Sequence, residues 1–369
     1  MAADLSPYAH ALKIPKHYEH DRFDDISYQK GSSMLRMIGA YMGEKHLIGR
    51  VRAYLTAHQF GTAKTEDFFD SLGKGTWDIW KVWANSAGHP YLLVNETDGG
   101  EIYLTQMHRI GDSEGDTVFP IPLLVRTETG VDKAVMMTGK TERLKADVRG
   151  SRFYCLNADG AGFYRVGYTP ERLRKLAAQS YKLTPADITG IVSDTHTLAS
   201  ENIQLDASDV LALVSGLMDT NDNYWVWKAS YDTISSLKEV WRADADINEA
   251  LAQFILDKTA ARLKRLGWSQ NYWKAAQKNI DIGEDDLSVR FRAMTLYEAA
   301  RAGDKAAIGA SKEITNTFFK TGMAAAGGNV WRHALQVGIQ HGGEEEVSRR
   351  CTGVQALILG DVSGLQWRA

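Results

Sequence analysis

Trp77-Asp78-Ile79-Trp80-Lys81-Val82-Trp83-Ala84-Asn85-Ser86-Ala87-Gly88-His89-Pro90-Tyr91-Leu92-Leu93-Val94 is the stretch in which the chain changes its hydrophobic period. Before Gly88 the tryptophans recur at i, i+3 and i+6, one face of a helix; after Pro90 the apolar residues run together as in a buried strand. Three tryptophans on one face form either a ligand-stacking surface or a packed helix core, and the core is the reading adopted. The junction Gly88-His89-Pro90 is then a boundary between a helical part and a β part.

On the N-terminal side of this junction, residues 1–88 read as helical after an irregular start. Met34, Leu35, Ile38, Tyr41 and Met42 fall at helical spacing, and Leu47, Ile48, Val51, Tyr54 and Leu55 repeat the pattern up to Gly61. Thr65 is the expected N-cap of a further helix, with Glu66 and Asp67 in its first turn and Phe68, Phe69 and Leu72 as its buried stripe. On the C-terminal side, residues 89–168 carry short apolar runs at 91–94, 102–105, 121–125, 135–137, 153–156 and 163–166 between Gly- and Asp-rich turns, which predicts a small β-sandwich. After Thr169-Pro170 amphipathic segments near 171–178, 208–217, 224–241, 246–266, 286–302, 305–319 and 330–340 predict a solenoid-like helical array over 169–369. The expected fold is multidomain α plus β.

Composition narrows the function classes. The 369 residues carry a formal net charge of −3, are 44% hydrophobic and contain 7 Pro, which is ordinary globular material with no basic footprint for nucleic acid. No apolar run approaches the ~20 residues of a membrane span. Cys155 and Cys351 are the only cysteines, so a disulfide framework is not expected and a reducing, cytoplasmic setting is. There is no Gly-rich phosphate loop, nucleophile elbow or Cys–His pair. The string His-Glu-x-x-His, which places two imidazoles and a general base on one face of a zinc peptidase helix, is absent from the whole sequence.

Phe23-Asp24-Asp25-Ile26-Ser27-Tyr28-Gln29-Lys30-Gly31-Ser32-Ser33 closely resembles the segment with the catalytic tyrosine in zinc aminopeptidases of the puromycin-sensitive and alanyl type. Further strings agree: Trp83 through Pro90, Leu104-Thr105-Gln106, Gly162-Phe163-Tyr164-Arg165-Val166-Gly167-Tyr168, Asp187 to Asp194, Leu266-Gly267-Trp268 and Arg292 to Asp304. The resemblance runs from about residue 14 to Glu346, and residues 347–369 do not share it. It implies a helical remnant of the catalytic domain over 1–88, the family's small sandwich over 89–168 and its helical C-terminal domain from 169. It carries over no zinc ligand and no general base, because the chain starts beyond the point where these would lie.

Tyr28 alone maps onto a functional position. The resemblance implies a hydroxyl that donates to a developing oxyanion; the competing reading is a residue kept because its helix packs. Asp24 and Asp25 are weaker catalytic candidates, better read as acids that cap a helix. His17 and His20 are the nearest approach to a metal pair, on a segment whose Pro15 argues for a loop. No cofactor is expected. The favoured function is a pseudo-peptidase that binds a peptide or small molecule. The alternatives are a metal-independent cyclase, isomerase or hydrolase that uses Tyr28 as acid, and one half of a split zinc aminopeptidase. A second copy or a partner chain is expected to cover the Met34–Met42 and Trp77–Trp83 surface.

Overall fold

The change of period at Gly88 is a change of structure. In the computed structural model, which describes residues 1, 4, 6, 8–13, 24–110, 113–145, 153–266, 286–321 and 328–341, helix α4 (Thr76–Asn85) ends three residues before strand β1 begins. Gly88 turns the chain with φ 75°, a left-handed conformation that favours glycine. Trp80 and Trp83 are fully buried. The Trp83 indole N–H donates to the Pro120 carbonyl at 2.8 Å and its ring lies 4.7 Å from that of Phe119, so Trp83 is core between α4 and the β part, while Trp80 and the half-buried Trp77 meet the Tyr41 and Phe69 rings of the neighbouring helices.

Two compact units divide the chain, Met1–Asn221 and Asp222–Ala369. The first opens with a π-helical turn (Ile26–Lys30) that runs straight into α1 (Gly31–Met42), followed by α2 (Glu44–Ala57), α3 (Thr65–Leu72) and α4. Met34, Met37 and Ile38 are buried within this unit, as are Trp80 and Trp83. Exposed apolar residues of this helical part include Tyr28, Leu35, Ile48, Leu55, Phe60 and Ile79. Thr65 is not the N-cap of α3. That position is Lys64, whose backbone N–H donates at 2.8 Å to the Asp67 carboxylate reaching back from the first turn.

Strands β1 (His89–Glu96) and β2 (Ile102–Ile110) form a hairpin paired along its whole length, from His89 opposite Arg109 to Glu96 opposite Ile102. On the far edge of β2 lie β3 (Ser113–Gly115) and, at the other end, β8 (Thr141–Arg143). On the far edge of β1 lies β9 (Arg165–Gly167), parallel to it. Two short ladders, β4 (Ile121–Pro122) with β7 (Met136–Met137) and β5 (Val125–Thr127) with β6 (Gly130–Asp132), complete the β part. The run Phe153–Leu156 is not a strand. All four side chains are buried, and only Cys155 pairs, exchanging both backbone bonds with Arg126 at 2.7 and 2.9 Å. Strand β9 starts late because the Asn157 side-chain amide takes the carbonyls of Gly162 and Tyr164.

Helices α5 (Pro170–Ala178), α6 (Pro185–Ser200) and α7 (Ala207–Thr220) close the first unit. Thr169 and Thr184 cap the first two through their side-chain oxygens, each with proline at the first helical position. The second unit holds α8 (Tyr224–Val240), α9 (Ala245–Leu266), α10 (Asp286–Arg301), α11 (Lys305–Thr321) and α12 (Gly328–Gln340), at the expected places. Its centre is an alanine-rich cluster of Ala293, Leu296, Ala299, Ala300, Ala307 and Val337, where small side chains let helices approach closely. The chain is thus a mixed α and β protein. Among the described residues no helix is long and apolar enough to cross a membrane.

Candidate functional site

The turn that carries Tyr28 is held from both ends. At its start the Asp24 carboxylate accepts the Ser27 backbone N–H at 2.7 Å, the bond of an N-capping acid, and meets the His10 imidazole Nε2 in a short contact through its other oxygen. The second ring nitrogen of His10 lies 2.9 Å from the Ala11 carbonyl, where only a donor is useful. Partial burial works against a charged His10, but the Ala11 carbonyl and the Asp24 carboxylate outweigh it and raise the imidazole above its ordinary value. Asp24 shifts the opposite way: burial pushes it up, and His10 with the Ser27 amide pulls it below the usual carboxylate range. Asp24 is therefore a capping and pairing residue in this structure, while Asp25 is exposed.

At its end the turn is anchored by Lys30, only 2% exposed. Its ammonium donates to the Asp4 carboxylate at 3.1 Å and to the carbonyls of Ser86 and Gly88 at 2.9 and 2.7 Å. The same Asp4 oxygen accepts the Gly88 N–H at 3.1 Å, and His89 Nδ1 stands 3.5 Å from the other. Burial holds the Lys30 ammonium below its ordinary value, against the pull of Asp4, and drives His89 down to about 4, so this imidazole is neutral at neutral pH. Lys30 is the site residue that sequence reading passed over. Its signal was there: Ile26, Lys30, Met34 and Ile38 are four apart on one stripe, and all four are buried.

Between these anchors Tyr28 points outward, 61% exposed, with its backbone N–H bonded to the Asp24 carbonyl at 3.1 Å. Two recesses of the protein, one lined by Asn157, Tyr168, Asp187 and Asp194 and the other by Trp241, Asp244 and Asp246, do not include it. His17 and His20 lie outside the described residues. Among the described residues no group of three His, Cys, Asp or Glu side chains is placed to hold a metal. The His10–Asp24 pair at the start of the Tyr28 turn has its nitrogens and oxygens engaged as above. The described residues therefore do not fit the zinc ion of a peptidase site.

Comparison with known proteins gives the family. Residues 153–351 match the ERAP1-like C-terminal domain, and residues 1–85 match the peptidase family M1 domain. The alanine/arginine aminopeptidase of Saccharomyces cerevisiae is 32% identical over 307 residues, 79% of this chain and 34% of that protein. Aminopeptidase 2, mitochondrial, of the same yeast is 29% identical over 88% of this chain and 36% of its own length. The tricorn protease-interacting factor F2 of Thermoplasma acidophilum is 28% identical over 76% and 33%. The chain spans about a third of the length of these relatives. It belongs to the family of the ERAP1-like C-terminal domain, joined on its N-terminal side to a segment of the peptidase family M1 domain.

Proposed function

We propose that these residues serve an M1-type aminopeptidase, in which Tyr28 presents its hydroxyl to the oxyanion formed when a peptide carbonyl is attacked. The observation that carries this reading is the contrast within one turn: Tyr28 is exposed while Ile26 and Lys30 on either side are buried and fixed. A donor that stabilises developing charge works only if it is positioned before the charge appears. A phenol held between a capped start and a buried lysine meets that condition. The groups that hold the metal of such an enzyme are then supplied by polypeptide other than the described residues. On the same reading the sheet and its two ladders are the family's small β-sandwich, and α8 to α12 its helical array.

The absence of His-Glu-x-x-His from all 369 residues favours a second reading, in which the chain binds a peptide or small molecule in the cytoplasm and cleaves nothing. One experiment separates the two. The chain is assayed on alanyl- and arginyl-anilides alone, and again fused to the part of the yeast alanine/arginine aminopeptidase that this chain does not match. Turnover by the folded fusion alone, falling ~10²-fold with Tyr28→Phe, is the expected result. Equal rates for the two fusions sink the role of Tyr28. A folded but inactive fusion, beside tight peptide binding by the isolated chain, establishes the second reading.

A further inference from the structure

We propose that Lys30, the Gly88 amide and His89 form a carboxylate pocket that Asp4 fills from within the chain, and that its filling fixes the turn which presents Tyr28. Asp4 and its three neighbours are closed off from solvent: Asp4 and Lys30 are each 2% exposed and His89 1%. One Asp4 oxygen is doubly engaged, by the Lys30 ammonium and the Gly88 N–H, both at 3.1 Å. The other oxygen has no hydrogen-bond partner among the described residues, and neither does His89 Nδ1, which faces it at 3.5 Å. Two orphaned polar atoms face each other beside an ammonium and a backbone donor. This donor set matches a carboxylate, one oxygen of which accepts from two donors while the second faces an imidazole nitrogen.

Lys30 makes the pocket matter beyond its own walls. Without a carboxylate its ammonium is a buried charge left with two carbonyls, which costs the fold heavily. Lys30 closes the π turn two residues after Tyr28, so any relaxation of Lys30 toward water passes directly into the Tyr28 turn. The bearing on catalysis rests on the reading of Tyr28 given above; the pocket does not.

The test is chemical rescue of the Asp4→Ala variant with sodium formate and acetate, against sodium chloride at equal ionic strength. Removing one partner of the buried pair is expected to lower the melting temperature by about 10 °C. Formate or acetate at about 100 mM is expected to restore at least half of that loss by mass action, with chloride inactive. The Asp4→Ala, Lys30→Met double variant should not respond. In fluorotyrosine-labelled protein the Tyr28 fluorine line, assigned with Tyr28→Phe, should shift in Asp4→Ala and return with formate. Rescue by chloride alone, or rescue that persists in the double variant, overturns the pocket. Rescue of stability with an unmoved Tyr28 line overturns its hold on the turn. Should Asp4→Ala not fold, Asp4→Asn keeps the shape without the charge: a marked loss of stability supports the pocket, and wild-type stability overturns it. Neither readout needs peptidase activity, so failure here and failure of the aminopeptidase reading are separate events.

Discussion

Arg172 grips Glu96 through two nitrogens, Nε to Oε1 at 2.6 Å and Nη2 to Oε2 at 2.7 Å, and lays its guanidinium 4.2 Å from the centre of the Tyr154 ring. The Tyr154 hydroxyl donates to the same carboxylate at 2.7 Å. This cluster joins the end of β1 to the first turn of α5. Its side chains are largely shielded, 8% exposed for Arg172 and 23% for Glu96, so it escapes much of the screening that reduces surface pairs.

Arg172→Leu is expected to destabilise the protein by about 3 kcal/mol, because it strands the Glu96 carboxylate in a shielded site. Arg172→Lys should cost roughly half as much, since a lysine keeps the charge but loses the fork and the stacking on Tyr154. Urea denaturation followed by tryptophan fluorescence measures both, and equal losses for the two variants would show that the fork contributes nothing.

The His10–Asp24 pair predicts a plateau of stability with two edges. Burial, overcome by the Ala11 carbonyl and Asp24, leaves the His10 value raised, so its contribution is fully present below the unfolded histidine value and is lost as pH rises through the folded one. Burial, overcome by His10 and the Ser27 amide, leaves the Asp24 value lowered, so its contribution is present above the unfolded carboxylate value and is lost as pH falls through the folded one. Both groups are partly solvent-accessible, so the pair is worth about 1 kcal/mol or less. His10→Gln should flatten the alkaline edge in melting curves taken across pH; an unchanged edge refutes the assignment.

Gly338→Ala tests the crossing of α11 and α12. A Cβ built there would collide with Thr315 Oγ1, whose hydroxyl is bonded to the Ser311 and Ala334 carbonyls at 2.8 and 3.1 Å. The threonine cannot yield without losing a buried bond, so a loss of about 2 kcal/mol is expected on chemical denaturation. A neutral effect would mean that the helices separate freely at this point.

Tyr28→Phe should leave the melting temperature within about 2 °C of wild type, because an exposed residue away from caps and core contributes little. A larger fall, measured by calorimetry, would turn Tyr28 into a structural residue and remove the ground for assigning it a chemical role.

What sequence could show follows from which side chains face which solvent. Trp80 and Trp83 sat on an apolar stripe and were legible as core. Helix α6 escaped the periodicity because Asp187 and Asp194 lie on its buried face, where Asp187 bonds Arg126 and the Asp159 amide, and Asp194 bonds Arg165 and the Val166 amide. Their partners lie far along the chain, and a one-dimensional pattern does not display them. Phe153–Leu156 failed for the opposite reason: an unbroken apolar run reads as a strand, although burial on all sides is also met by irregular backbone. Near Tyr28 the exposed tyrosine was legible through resemblance and the buried lysine through spacing. The tie from Asp4 to Lys30 and Gly88 needed three separated segments to be seen together.

Strand β9 enters the sheet parallel to β1, with Tyr91 opposite Arg165, and the hairpin, both ladders and every connection between them intervene in the chain. Pairing at that sequence distance carries a large loop-closure entropy, which makes it a slow step in folding. Helix α5 follows β9 directly, and Arg172 on it reaches Glu96 only when β9 is seated. Amides of β9 should therefore gain hydrogen-exchange protection after those of the β1–β2 hairpin, and until they do, Glu96 waits without its arginine.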